Sequence, residues 1–173
     1  MSEHLLGEIP GWLQSLLSSE WALLVLLGVF VLEGAMLMYF VPSELLVPGS
    51  LLLLGHGPEQ LVSILAVAVG GATIGQYALF RLAKRGGREY LLQKRWFRVS
   101  DRTLTRFDGW FERWGPIAVT GSNAMLFTRG MLTVPAGLAR MRDKRFVVLS
   151  ATGTLLFESM LAAFYVLGVD LLW

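Results

Sequence analysis

The chain has 173 residues, enough for one domain, and 54% of them are hydrophobic. With a mean hydropathy of +0.57 it groups with integral membrane proteins and not with soluble ones. There is no cysteine, which excludes a disulfide framework and a thiolate metal site. The two histidines, His4 and His56, lie near predicted segment ends, so no metal and no other cofactor is expected. A net charge of +2 gives no reason to expect a nucleic-acid partner.

Residues 1–20 form the first predicted unit. Trp12, Leu13, Leu16 and Leu17 share a helical face opposite Gln14, Ser15, Ser18 and Ser19, with Pro10 suited to a first turn. That pattern predicts an interfacial helix lying on a membrane, with a frayed terminus as the alternative. Residues 21–173 form the membrane domain. Its first half, 21–80, opens with a predicted span from Trp21 to Phe40 that carries one charge, Glu33.

The run Phe40–Gly55 is strongly apolar, yet Pro42, Pro48 and Gly49 interrupt it and Glu44 charges it. A straight span needs about 20 apolar residues, more than this run holds between its breakers. Pro48 lacks a backbone donor and is expected to stop or bend a helix. Phe40–Gly55 is therefore read as a re-entrant hairpin, since broken backbone at membrane depth is tolerated only against protein or a wet cavity. Leu61–Phe80 follows as an uncharged span. Its Gly71 and Gly75 make a small-xxx-small face that lets a second backbone approach closely.

Residues 81–115 are predicted as a basic loop containing an amphipathic helix. No Lys or Arg precedes Arg81, and ten of the fifteen fall between Arg81 and Arg113, which assigns 81–113 to the cytoplasmic side. Anionic lipid headgroups are the natural counter-charge. Phe107, Trp110, Phe111 and Trp114 recur at helical spacing, and Gly115-Pro116 ends the pattern.

The second half, 116–173, begins with Pro116–Ala139, broken by Gly130, Pro135 and Gly137 and carrying Asn123 and Arg129. It is long enough for a straight span. A second re-entrant hairpin is preferred because Arg140, Arg142, Lys144 and Arg145 make its far flank basic too, and a segment that begins and ends on one side has not crossed. Phe146–Val169 is the last span, interrupted by Glu158. Val47-Pro48-Gly49 resembles Val134-Pro135-Ala136, and Gly70-Gly71-Ala72-Thr73 loosely resembles Ala151-Thr152-Gly153-Thr154. The expected fold is thus all-α and membrane-embedded: an inverted repeat of two re-entrant hairpins with spanning and interfacial helices.

Ionisable residues at membrane depth are costly and point to function. Four qualify: Glu33, Glu44, Arg129 and Glu158. If the hairpins meet tip to tip, Arg129 can pair with a carboxylate or hold a phosphate, because its planar fork suits both. A buried ion pair that only fixes packing is the competing reading. Glu158 either faces the cavity or is satisfied by Thr152 or Thr154, and Asn123 could line the same pocket.

These residues carry a resemblance. Glu33, Pro42-Ser43-Glu44, Gly55, the Gly71/Gly75/Tyr77 span and Arg129 through Pro135-Ala136-Gly137-Leu138-Ala139-Arg140-Met141 together resemble the DedA family, also called the SNARE-associated or VTT domain. The resemblance covers roughly residues 33–168. It implies a lipid translocase or scramblase in a bacterial or archaeal cytoplasmic membrane, moving undecaprenyl phosphate or a phospholipid, with protons as a coupling partner. Carried over by position, Glu33 and Glu44 match the family's embedded acids and Arg129 the second of two hairpin arginines. The chain departs from the pattern at Asn123, where the family has Arg, at Leu126, where it has Pro, and at Gln76, where it often has Asp. Two other classes compete: an intramembrane enzyme on lipid headgroups with Glu44 or Glu158 as general base, and a structural membrane-assembly protein. A non-enzymatic transporter, with membrane lipids as partners and an oligomeric state left open that includes a homo-oligomer, is preferred.

Overall fold

A computed structural model describes residues 21–38, 43–55, 57–93, 100–126 and 128–172. The predicted interfacial helix at 1–20 and the segment 39–42, with Pro42, lie outside them. All regular structure among the described residues is helical: α1 Ala22–Gly34, α2 Leu46–Leu54, α3 Pro58–Leu92, α4 Asp101–Trp114, α5 Ile117–Asn123, α6 Thr133–Leu138 and α7 Asp143–Leu172. One 3-10 turn, Ser43–Leu45, leads into α2. By length and composition α3 and Asp143–Gly168 of α7 are long and apolar enough to cross a membrane.

Three sequence expectations are corrected. The predicted span Trp21–Phe40 is a helix of 13 residues, about 20 Å long against the ~30 Å of a hydrocarbon core. It stops at Gly34, and Met36 takes a left-handed φ of 59°, which no helix interior accepts. Pro48 does not stop a helix. It is the third residue of α2, within the first turn, where the missing N–H would have had no helical acceptor. The predicted loop from 81 also starts late. Arg81, Leu82, Ala83, Lys84 and Arg85 are good helix formers, so α3 runs on to Leu92, broken only at Gly87, where φ is +77°.

The contacts define how the chain turns. Ala22 and Leu23 at the start of α1 line one pocket with Leu54 at the end of α2 and with Glu59, Gln60 and Ser63 of α3. Leu26 and Phe30 of α1 share a core cluster with Val47 and Leu51 of α2 and with Ile64 and Ala68 of α3. The chain therefore goes in along α1, returns along α2 and starts α3 where it began. Gly71 and Gly75 make the close approach expected of them: a Cβ on Gly71 would lie 2.7 Å from the Phe30 Cβ, and one on Gly75 would strike the Val31 carbonyl.

Residues 116–139 repeat this plan from the other end. No single straight helix runs through this segment: α5 and α6 have seven and six residues, and the described residues between them, 124–126 and 128–132, form turns. Thr120 of α5 bonds the Leu149 carbonyl of α7, while Gly137 of α6 packs against α3, where a Cβ would sit 2.6 Å from the Phe80 carbonyl. Phe80 stacks on Phe146 with ring centres 4.2 Å apart, so α7 begins beside the second half of α3, away from the end that packs against Ala22. The two sequence triplets occupy matching places. Val47-Pro48 and Val134-Pro135 are the second and third residues of the returning helices α2 and α6. Gly71 and Gly153 each receive the outgoing helix of their own hairpin.

Because backbone faces each of these glycines, a side chain there must move a helix and not a rotamer. Gly75→Leu is expected to lower the thermal midpoint of the detergent-solubilised protein by several degrees, whereas Gly70→Leu, with nothing within 4 Å, leaves it unchanged. Melts of both variants, followed by circular dichroism, check the contrast.

Candidate functional site

The second hairpin's turn region delivers Arg129 to the middle of the molecule. Its side chain is 4% exposed and lies between two carboxylates from different helices. Nε is 3.3 Å from Oε1 of Glu33, Nη2 is 3.4 Å from Oε2 of Glu33, and Nη1 is 2.5 Å from Oε1 of Glu158. The Phe157 ring lies beneath the guanidinium, 4.6 Å from its carbon. Glu33 is the penultimate residue of α1, and Glu158 lies about midway along α7, fully buried.

The Arg129–Glu158 contact is ionic and not a linear hydrogen bond: Nη1 and both Glu158 carboxylate oxygens lack an aligned hydrogen-bond partner among the described residues. The hydroxyls of Thr73, Thr133 and Thr154 are buried and likewise unpartnered. Such a set is costly in a closed protein interior and suits a site that receives polar atoms. Thr152, one of the two expected partners of Glu158, instead bonds the Val148 carbonyl, so neither threonine holds that carboxylate. Glu44, at the other side of the first turn, lies within electrostatic reach of Glu33 and is half-buried.

Asn123 is adjacent to the ion cluster without touching the guanidinium. Its Nδ2 donates to Gln76 Oε1 at 2.7 Å and to Ser150 Oγ at 3.2 Å, and the Ser150 hydroxyl also donates to Gln76 Oε1. Its Oδ1 accepts the Gly130 N–H at 2.9 Å. Asn123 thus fixes the backbone next to Arg129, and Gly130 takes the left-handed φ of +72° that this turn requires. Pro135 and Gly137 shape the returning arm, both fully buried, while Pro48 and Gly49 sit half-buried in α2.

Sequence reasoning missed the part played by Ser150, Phe157 and a second polar cluster. Asp143, the first residue of α7, accepts from Tyr77 Oη at 2.9 Å, from Lys84 Nζ at 2.7 Å and from Arg81. Lys84 also donates to the Met141 carbonyl at 2.7 Å. The signal available was local: one acid among Arg140, Arg142, Lys144 and Arg145. These contacts pin the exit of the second hairpin to α3. Asp143→Ala is expected to lower the thermal midpoint by a few degrees at low salt. The deficit should shrink in concentrated salt, because the groups are partly exposed and screened; melts across a salt series check it.

Fold and cluster together define a helical protein with two helices suited to crossing a membrane, in whose interior one guanidinium meets the carboxylates of Glu33 on α1 and Glu158 on α7. Of the known proteins similar to it, two are named as transporters. The chain is 23% identical to undecaprenyl phosphate transporter A of Bacillus subtilis (strain 168) over 158 residues, covering 91% of this chain and 78% of the relative. It is 25% identical to the protein of the same name from Staphylococcus aureus (strain NCTC 8325 / PS 47), over 68% of this chain and 61% of the relative. An alkaline phosphatase-like protein of Lactococcus lactis subsp. cremoris (strain MG1363) is 23% identical over 71% of this chain and 60% of its own length. No family model matches the chain. No solved structure matches it either.

Proposed function

We propose that the chain is an integral membrane transporter of the DedA type that carries a phosphate-bearing lipid, a polyprenyl phosphate such as undecaprenyl phosphate or a phospholipid, across the bilayer. The observation that carries this reading is the buried Glu33–Arg129–Glu158 cluster, formed where two broken helical segments meet. The names of the relatives support the same substrate class. In this reading the hairpins α1–α2 and α5–α6 are re-entrant and open to opposite leaflets. The end carrying Arg81–Arg113 and Arg140–Arg145 faces the cytoplasm.

Charge balance suggests how a phosphate is admitted. Two carboxylates face one guanidinium, so an anionic headgroup reaches Arg129 only when a carboxylate gives way. Proton uptake by Glu33 or Glu158 removes one negative charge, strips Arg129 of a competing partner and leaves its fork free for phosphate oxygens. Release of that proton on the other side then expels the headgroup. Lipid movement and proton movement are coupled through one arginine.

The experiment is reconstitution into vesicles containing a labelled polyprenyl phosphate, with the label's leaflet read by a membrane-impermeant reagent and lipid integrity by mass spectrometry. Wild-type protein is expected to move the lipid intact, faster under an imposed proton gradient, and Arg129→Ala to match empty vesicles. Equal rates for wild type, variant and empty vesicles refute transport, and loss of the phosphate from the lipid would make the protein a headgroup enzyme.

A further inference from the structure

We propose that the groove between α4 and α5 binds the hydrocarbon chain of an anionic membrane lipid, whose headgroup is held at the mouth by Arg106 and Arg113. The groove has a volume of about 510 Å³ and is lined by Trp110 and Trp114 of α4, by Ile117, Ala118 and Gly121 of α5, and by Met125 just beyond. Its hydroxyl groups are committed elsewhere: Thr120 Oγ1 donates to the Leu149 carbonyl at 2.9 Å and Ser122 Oγ to the Val119 carbonyl at 3.3 Å. What remains along the walls is apolar. Gly121 keeps the floor open, because a Cβ there would meet nothing within 4 Å.

Charge complementarity selects the occupant. At about 100° per residue, Arg113, Arg106, Trp110 and Trp114 fall within one arc of about 100° on α4, and Glu112 and Asp108 fall on the opposite side. Asp101 and Asp108 are both taken by Arg88. The guanidinium of Arg106 lies 6.0 Å from the Trp110 ring centre and that of Arg113 lies 5.8 Å from the Trp114 ring centre. Both arginines and Trp114 are exposed, Trp114 at 63%. An apolar trough that begins at two arginine-topped indoles fits an amphiphile with an anionic head and an apolar tail. The far end of the trough, Met125, is four residues before Arg129, so a lipid held there lies beside the second hairpin's turn. The site does not depend on transport and stands if the ion cluster proves to be purely structural.

The test uses the full chain in vesicles of phosphatidylglycerol or of phosphatidylcholine with brominated acyl chains, which quench nearby indoles. Phosphatidylglycerol is expected to quench tryptophan fluorescence more than phosphatidylcholine does, and the excess is expected to vanish in Gly121→Leu, which fills the floor, and in Arg106→Gln/Arg113→Gln, which neutralises the mouth. Equal quenching by the two lipids in the wild type, or an excess that survives the arginine variant, overturns the proposal. The arginine pair decides the matter even if Gly121→Leu fails to fold, since both side chains are exposed. Efficient disulfide cross-linking between two copies of Met125→Cys would assign the groove to a second chain, and that also overturns it.

Discussion

Arg129→Leu is expected to cost about 3–5 kcal/mol of stability, because it leaves two carboxylates in the interior with no cation to face them. For a chain of this length that corresponds to a fall of roughly 6–20 °C in thermal midpoint. The same substitution abolishes lipid movement in the transport reading, so by itself it does not separate a functional guanidinium from one that merely packs. The triple variant Arg129→Leu/Glu33→Gln/Glu158→Gln does. It removes the charges together, and replacing a buried ionic group by neutral groups of similar volume is often nearly neutral for stability. The triple variant is expected to regain most of the lost thermal midpoint and none of the transport. Recovery of transport with recovery of the fold would show that the cluster acts only in packing. Melts in detergent and vesicle assays on the same preparations supply both readings.

The cluster was legible in the sequence to the extent that charge in an apolar run is conspicuous. Glu33, Arg129 and Glu158 each stand alone in such a run, and the breakers flanking Glu44 and Arg129 already implied turns that could bring distant segments together. Partner choice was not legible. Glu158 lies 29 residues from Arg129, with the returning arm and the basic turn between them, and the nearer threonines were equally good candidates until the fold put Phe157 and Glu158 beneath the guanidinium. Helix ends were also hidden. In Trp21–Phe40 the stop at Gly34 is signalled only by a glycine, and this glycine also serves packing, since a Cβ there would strike the Ala72 carbonyl of α3. Pro48 was misjudged for the opposite reason. A proline breaks a helix only from its interior, and where the first turn begins is set by residues the sequence pattern does not single out.

The neutral network beside the cluster yields the second large effect. Asn123 and Gln76, the two positions at which the chain lacks the Arg and Asp of the DedA pattern, touch each other at 2.7 Å, and each is 1% exposed. Asn123→Arg alone buries a cation among neutral acceptors and removes the acceptor of the Gly130 N–H, at an expected cost of about 3–5 kcal/mol. Gln76→Asp alone is milder, about 1–3 kcal/mol, because the Asn123 amide and the Ser150 hydroxyl still donate to a carboxylate there. The double variant gives each charge its partner, so its cost is expected to be smaller than the sum of the single costs by about 2 kcal/mol or more, a coupling expected only of groups in contact. A double-mutant cycle on thermal or denaturant unfolding measures it. Simple additivity would mean that the two departures are unrelated, and that Asn123 serves its turn only through Gly130. Coupling would mean that positions 76 and 123 accept either an amide pair or an ion pair as a unit, which in the proposed transport reading leaves Arg129 as the guanidinium open to an anionic headgroup.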